Sequence, residues 1–125
     1  MPTSISTDNA PKAIGPYSQG TIFNDILFLS GQIAINPQSG NIESSGIEGQ
    51  TEQVMKNLQN VLKAGGSDLS KVLKCTVFLQ DLEDYAAFNK IYGSFFGSTP
   101  PARTTVQAVK LPRGAKIEID IIAHK

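Results

Sequence analysis

Two apolar segments near the C-terminus each contain one charged residue that does not fit its surroundings. Arg103 stands at the start of residues 103–109, and Glu118 stands near the start of residues 116–123. A guanidinium group offers a planar set of donors that binds a carboxylate through two parallel hydrogen bonds. A carboxylate at short range holds or activates a water molecule. We therefore hypothesise that the rest of the chain brings Arg103 and Glu118 to one pocket.

Other types of site find little support in the residue counts. The only histidine is His124, next to the C-terminus, so a Ser-His-Asp set has no suitable base. One histidine and one cysteine at distant positions argue against a zinc site, and no phosphate-binding glycine loop is present. Cys75 lies within an apolar segment and is interpreted as a small buried hydrophobic residue. We therefore expect a site without metal or cofactor.

Length and charge favour one globular domain, residues 1–125, with a core of its own. Lysine plus arginine number 11 and aspartate plus glutamate number 11, so no overall field attracts nucleic acid or an anionic membrane. Lys110, Arg113 and Lys116 lie close together, and we interpret them as a solvated turn. The balance of charge disfavours a nucleic-acid partner and predicts no membrane partner.

The cellular location is addressed only indirectly by the sequence. One cysteine permits no intrachain disulfide, which agrees with a reducing compartment. No apolar run approaches the roughly 20 residues of a membrane span, and residues 1–12 lack the apolar core of a signal peptide. The simplest expectation is a cytoplasmic protein. A eukaryotic precursor cleaved before Met1, and hence a mitochondrial protein, is an open alternative.

Turn residues and hydrophobic periodicity divide the chain into strands and helices. Residues 1–12 are polar and are expected to be irregular. A first helix ends at Gly65-Gly66, and a second begins at a cap on Asp81 and carries an aromatic stripe interpreted as core. The predicted elements are strands 18–23 and 26–30, a short extension or hairpin over 32–43, helix 47–64, strand 72–79, a helix that ends before Gly97, and strands 103–109 and 116–123.

This order of elements favours an α+β fold with a mixed sheet and both helices on one face. A helix between two strands usually forms a parallel crossover. Ile117, Ile119 and Ile121 share one face of the last strand, and Glu118 and Asp120 share the other. A partly apolar second face has no predicted cover within the chain, so we expect self-association.

The segment PARTTVQAVKLPRGAKIEID resembles the C-terminal signature of the RidA (YjgF) family of small imine and enamine deaminases. Three upstream segments, AIGPYSQG at 13–20, LSGQI at 29–33 and KVLK at 71–74, extend the resemblance over nearly the whole chain. The resemblance implies a chorismate-mutase-like fold. It also implies a homotrimer with active sites in the clefts between subunits.

The resemblance assigns roles to residues that have simpler interpretations. Arg103 matches the arginine that binds the substrate carboxylate. From its spacing alone, Arg103 would be interpreted as an exposed arginine paired to any carboxylate. Glu118 matches the glutamate that holds the attacking water. Without the resemblance, Glu118 would be interpreted as an edge residue that faces solvent. Tyr17, Ser30 and Gly31 match residues that line the pocket; Tyr17 alone would be interpreted as a packed aromatic.

Three further positions affect the expected chemistry. Asn89 matches an asparagine near the site, and bracing of the backbone is an equal alternative. Thr105 stands where many family members carry a cysteine two residues after the motif arginine, so water and not a thiol is the expected nucleophile. Asp120 shares a face with Glu118, and we hypothesise that its charge raises the pKa of Glu118.

The function implied is that of a 2-iminobutanoate/2-iminopropanoate deaminase, a hydrolase acting on C=N bonds. It would convert short 2-imino acids, or their 2-aminoacrylate-type enamine tautomers, to 2-oxo acids and ammonia. These substrates are reactive by-products of pyridoxal-phosphate enzymes. One alternative is a non-catalytic binder of small carboxylates with a regulatory role. Another is a ribonuclease or translation inhibitor, which the zero net charge and the lack of a suitable histidine disfavour.

Overall fold

Alternating and helical hydrophobic patterns produce a six-stranded mixed sheet and two helices in the computed structural model, which describes residues 1–125. The elements are β1 Thr3–Ile5, β2 Gly20–Phe23, β3 Ile26–Gln32, α1 Ile47–Ala64, β4 Val72–Leu79, α2 Tyr85–Phe95, β5 Ala102–Gln107 and β6 Ile117–His124. The strand order is β1-β2-β3-β6-β4-β5. The predicted α+β class is confirmed.

The last strand is the centre of the sheet. β6 lies between β3 and β4 and runs antiparallel to both. β4 and β5 are parallel and are joined through α2, which confirms the predicted crossover. β2 and β3 form an antiparallel hairpin with Asn24 in the left-handed region at φ 53°. Asparagine tolerates that conformation better than most residues, as predicted for this turn.

The core lies between the helices and one face of the sheet. Ile117, Ile119 and Ile121 of β6 are fully or almost fully buried, and they meet Leu58 of α1 and Phe88 of α2 in one cluster. Burial of each such side chain contributes about 1.5–3 kcal/mol. Both helices cover this face, because the buried residues of each belong to the same cluster.

The outer face of the sheet has no cover within the chain. Phe28 and Val106 are 48% and 41% exposed. Phe28 pairs with Ile122, and Phe78 pairs with both Val106 and Glu118, so this face is largely apolar with the acidic Glu118 beside Phe78. The predicted partly apolar second face is therefore present.

Most predicted strand limits differ from the structure by one or two residues, and two differences are larger. Residues 1–12 were expected to be irregular, but β1 pairs with β2, and Ile5 is only 4% exposed. One buried residue in a three-residue strand produces no detectable alternation. The second helix begins at Tyr85, because Leu82–Asp84 forms a 3₁₀ turn in which Asp81 accepts a hydrogen bond from the Glu83 amide.

The first helix and the turn after β3 agree with the prediction. Helix 47–64 has the predicted limits, and residues 32–43 form a short turn closed by the single bridge between Ile35 and Ile42. None of the helices combines the length and the apolar character that a membrane crossing requires.

Candidate functional site

A bulge in β3 creates the first part of the candidate site. Leu29 pairs with Ile121 while Gln32 pairs with Ile119, so β3 contains one residue more than β6 over this stretch. Ser30 and Gly31 occupy the bulge. Bulges bend a strand and redirect its side chains, and they are frequent next to active sites. The bulge therefore opens the sheet surface where the sequence predicted two pocket residues.

A groove of about 600 Å³ lies at this bulge. Tyr17, Ser30, Gly31 and Glu118 all line it, which brings together four of the predicted site residues. Glu118 lies against the Gly31 backbone, since a Cβ added at Gly31 would be 2.5 Å from Glu118 Oε2 and 2.9 Å from its Cδ. The absence of a side chain at Gly31 is what gives the carboxylate this position.

The electrostatics of the groove favour a basic carboxylate. Glu118 is half-buried, and burial raises its pKa above the ordinary value, with a further increase from the Asp120 charge. The hypothesis that Asp120 raises the pKa has the right direction, but desolvation is the larger cause. Burial also raises the pKa of Asp120, while Thr76 and Lys74 oppose that shift. A carboxylate with a raised pKa accepts a proton from water more readily.

The second part of the candidate site surrounds Arg103 at the start of β5. Its Nη1 donates to Asn89 Oδ1 at 2.8 Å, and its Nη2 donates to the Tyr85 hydroxyl at 2.7 Å. The guanidinium carbon lies 4.9 Å from the ring centre of Tyr92, 5.1 Å from that of Phe88 and 5.4 Å from that of Tyr85. Cation–π attraction and two hydrogen bonds therefore hold the group in one orientation.

The charge of Arg103 has no acidic partner in the chain. The one ion pair of the structure joins Lys56 to Glu52 on α1. The interpretation of Arg103 as paired to any carboxylate is therefore wrong. A guanidinium has five N–H donors, and hydrogen bonds to Asn89 and Tyr85 use two of them. The other three donors have no hydrogen-bond partner within the chain.

Asn89 and Thr105 lie in the Arg103 part of the site. Asn89 uses its carbonyl oxygen to hold Arg103, so the alternative that it braces the backbone is not what the structure shows. Thr105 follows Arg103 on the same face of β5, and its buried hydroxyl has no hydrogen-bond partner. A buried hydroxyl without a partner costs about 1–3 kcal/mol, which a polar ligand would offset.

Arg103 and Glu118 do not meet within one chain. Arg103 pairs with Cys75, which faces the helices, whereas Glu118 alternates with the buried Ile117 and Ile119 and faces the other side. The hypothesis that one chain brings both groups to one pocket is therefore wrong. The reason is the sheet register, which places the two charged residues on opposite faces of neighbouring parts of the sheet.

Three residues near the candidate site were not predicted from the sequence. Tyr85 is the first residue of the aromatic stripe that was interpreted as core, yet it is 41% exposed and its hydroxyl accepts a hydrogen bond from Arg103. Its spacing of four residues from Asn89 was the available signal. Arg113 was interpreted as part of a solvated turn, but it lines the groove with φ 58° and donates to Gly40 O. Gln19 also lines the groove.

Comparison with known proteins agrees with the resemblance. A family model described as endoribonuclease L-PSP matches residues 7–125. The human protein named 2-iminobutanoate/2-iminopropanoate deaminase is 44% identical over 95% of this chain and 87% of its own length.

Two solved structures have nearly the same fold. The Rid-family protein YyfA from Yersinia pestis superposes with a TM-score of 0.97 at 45% identity, covering 100% of both chains. TdcF from E. coli with bound serine superposes with a TM-score of 0.94 at 38% identity, covering 98% of both chains. This chain therefore belongs to the RidA (YjgF) family.

Proposed function

We propose that this protein hydrolyses short 2-imino acids, or their 2-amino-2-enoic tautomers, to 2-oxo acids and ammonia. The observation that carries the proposal is the Arg103 guanidinium, which Asn89 and Tyr85 orient and which no carboxylate neutralises. Such a group binds the carboxylate that every 2-imino acid contains. The name of the human relative as a deaminase of these compounds supports the same reaction.

The complete site requires two subunits. Arg103 and Glu118 face opposite sides of the sheet, so one chain supplies only one of them to any given pocket. The uncovered outer face, with Phe28 and Val106 exposed, offers the surface for association. The family resemblance implies a homotrimer, and we propose that Glu118 of one subunit meets Arg103 of the next in it. Tyr17, Ser30 and Gly31 accompany Glu118, and Asn89 and Thr105 accompany Arg103.

The reaction then needs only positioning and proton transfer. Arg103 binds the substrate carboxylate and thereby fixes the C=N carbon. Glu118 holds a water molecule and accepts its proton as the oxygen attacks that carbon. Glu118 passes this proton to the imine nitrogen, which completes a carbinolamine. It then takes the proton of the carbinolamine hydroxyl and gives it to the nitrogen as the C=O bond forms and the C–N bond breaks, so the products are a 2-oxo acid and ammonia. Thr105 contributes no thiol, so water is the nucleophile, and the proposed mechanism uses no cofactor.

A coupled assay tests the proposal. An amino-acid oxidase generates the imine from alanine or 2-aminobutyrate, and semicarbazide traps what survives. We expect the wild-type protein to remove the imine before trapping, Arg103→Ala to fall to the background rate, and Lys56→Ala, which removes a surface cation, to match wild type. Wild-type rates equal to background with both imines would contradict the proposal.

Two alternative functions have distinct signatures. A non-catalytic carboxylate binder would use the same Arg103. In that case the wild-type protein would show no hydrolytic activity, and Glu118→Gln would bind 2-oxobutanoate as tightly as wild type does. The description of the family model makes RNA cleavage the other candidate. Affinity for RNA that falls steeply with salt, together with RNA cleavage, would favour this function.

The cellular location follows from the cysteine content. The single free Cys75 fits a reducing compartment, and we propose the cytoplasm.

A further inference from the structure

Gln19 has an unusually complete set of hydrogen bonds for a buried amide. Its side chain belongs to a residue only 6% exposed. The Oε1 atom accepts from the Thr7 amide at 2.7 Å. The Nε2 atom lies within donating distance of three carbonyl oxygens, Pro11 at 2.8 Å, Thr7 at 3.0 Å and Ala10 at 3.3 Å. One side chain therefore holds segment 7–11 next to the start of β2.

The backbone next to Gln19 is bound to the bulge of β3. The Ser30 amide donates to the Gln19 carbonyl oxygen at 3.0 Å, and the Ser30 hydroxyl donates to Ser18 O at 2.6 Å. Gln19 thus contacts both walls of the groove. Its side chain holds the segment that ends at Pro11, and its main chain holds the wall that contains Ser30 and Gly31.

Between these two attachments lies a loop with little support of its own. We name residues 12–17 the Tyr17 loop. Its only backbone hydrogen bond joins the Tyr17 amide to Gly15 O within the loop, and Gly15 has φ 127°. Tyr17 is 54% exposed and lines the groove together with Lys12, Ile14 and Glu118. The position of the phenol therefore depends on how the two ends of the loop are fixed.

We infer that Gln19 is a positioning residue that fixes the Tyr17 loop, and through it the Tyr17 phenol, over the groove that contains Glu118. This inference rests on the proposed function for its catalytic consequence. Its structural part is independent of that function. The Gln19 side chain reaches Pro11, the residue before the loop, and Gln19 itself lies two residues beyond Tyr17, so one residue holds both ends.

A purely structural role would have a different signature. If Gln19 only satisfied buried carbonyl groups, its loss would lower stability like the loss of any buried hydrogen bond. Ser67 offers the matched control, because its buried hydroxyl donates to His124 O at 2.6 Å at the opposite end of β6 from Glu118. Ser67→Ala removes a comparable bond without touching the loop.

Limited digestion with trypsin tests the structural part without any activity. Lys12 lies in the Tyr17 loop, and cleavage there requires the loop to open. Gln19→Met keeps the length of the side chain but loses all its hydrogen bonds. We expect Gln19→Met to increase the cleavage rate at Lys12 at least tenfold, and Ser67→Ala to leave it unchanged. A wild-type cleavage rate at Lys12 in Gln19→Met overturns the inference, whatever the assay of imine hydrolysis shows.

A double-mutant cycle with Tyr17→Ala tests the catalytic part. Misplacement of a site group by about 1 Å can lower a rate by about 100-fold, so we expect Gln19→Met to lower kcat/KM by about 10- to 100-fold. In the Tyr17→Ala background we expect Gln19→Met to cause no further loss. Equal losses in both backgrounds would show that Gln19 does not act through Tyr17. If wild type lacks deaminase activity, binding of 2-oxobutanoate replaces kcat/KM as the measurement.

Discussion

The Glu118 carboxylate lies against the backbone of Gly31, so close that an added Cβ at Gly31 would be 2.5 Å from Oε2. The bulge of β3 and the alternation of β6 produce this contact together. The position of the proposed water-holding carboxylate therefore depends on Gly31, a residue that has no side chain of its own.

Replacement of Gly31 by alanine should therefore displace Glu118 without unfolding the chain. We expect Gly31→Ala to lower kcat/KM for imine hydrolysis by about 10- to 100-fold, because the carboxylate must move to make room for the methyl group. Gly93→Ala is the control, since a Cβ there meets nothing within 4 Å and should stabilise α2 by about 0.5–1 kcal/mol. Equal activity in both variants would contradict the role of Gly31.

Removal of the amide that orients Arg103 should weaken carboxylate binding more than stability. We expect Asn89→Ala to raise the KM about tenfold, because the guanidinium loses the acceptor at 2.8 Å that fixes its orientation. Asn60→Ala serves as control, since it also removes an amide on a helix, one that donates to Asn9 O away from Arg103. The measurement is the KM of each variant beside its melting temperature. An unchanged KM in Asn89→Ala would show that the Tyr85 hydroxyl and the aromatic rings hold Arg103 without Asn89.

The raised pKa values of Glu118 and Asp120 predict how stability depends on pH. Each carboxyl binds its proton more tightly in the folded state, so folding penalises the charged form. Within one subunit, the contribution of these two carboxyl groups to stability is then largest below their ordinary pKa values of 4.5 and 3.8, and it is lost as pH rises through the raised pKa values. Glu118→Gln should flatten this fall, measured by urea unfolding at several pH values. If the stability of wild type instead decreases towards acid over the same range, and that of Glu118→Gln does not, folding lowers the pKa of Glu118 and the prediction is wrong.

The elements of the fold were largely predictable, because each has a local pattern. The 18-residue helix α1 carries a complete apolar face and ends at Gly65, and β6 alternates isoleucines with polar residues. β1 was missed because its burial depends on β2 and not on its own three residues. Local periodicity predicts an element, but pairing between distant strands leaves no trace in a short segment.

The candidate site was predictable residue by residue and not in its assembly. Tyr17, Ser30, Gly31 and Glu118 were expected together and do line one groove. The position of Arg103 depends on the register between β4 and β5, and sequence patterns do not contain that register. A register in which Arg103 faced outwards would have been equally compatible with the alternation of residues 102–107. Only the structure could therefore show that Arg103 and Glu118 lie on opposite faces of the sheet.

Mixing of two inactive variants tests whether the halves come from different subunits. Arg103→Ala subunits retain Glu118, and Glu118→Gln subunits retain Arg103. If each site takes one residue from each of two neighbours, random reassembly of an equal mixture gives both intact residues in about a quarter of the sites. We therefore expect about a quarter of wild-type activity after the variants are unfolded and refolded together, and background activity when each is refolded alone. Background activity in the mixture, with mixed assemblies demonstrated by mass spectrometry, would place both residues of a working site in one chain. The geometry argues against that outcome, because the sheet separates the two side chains.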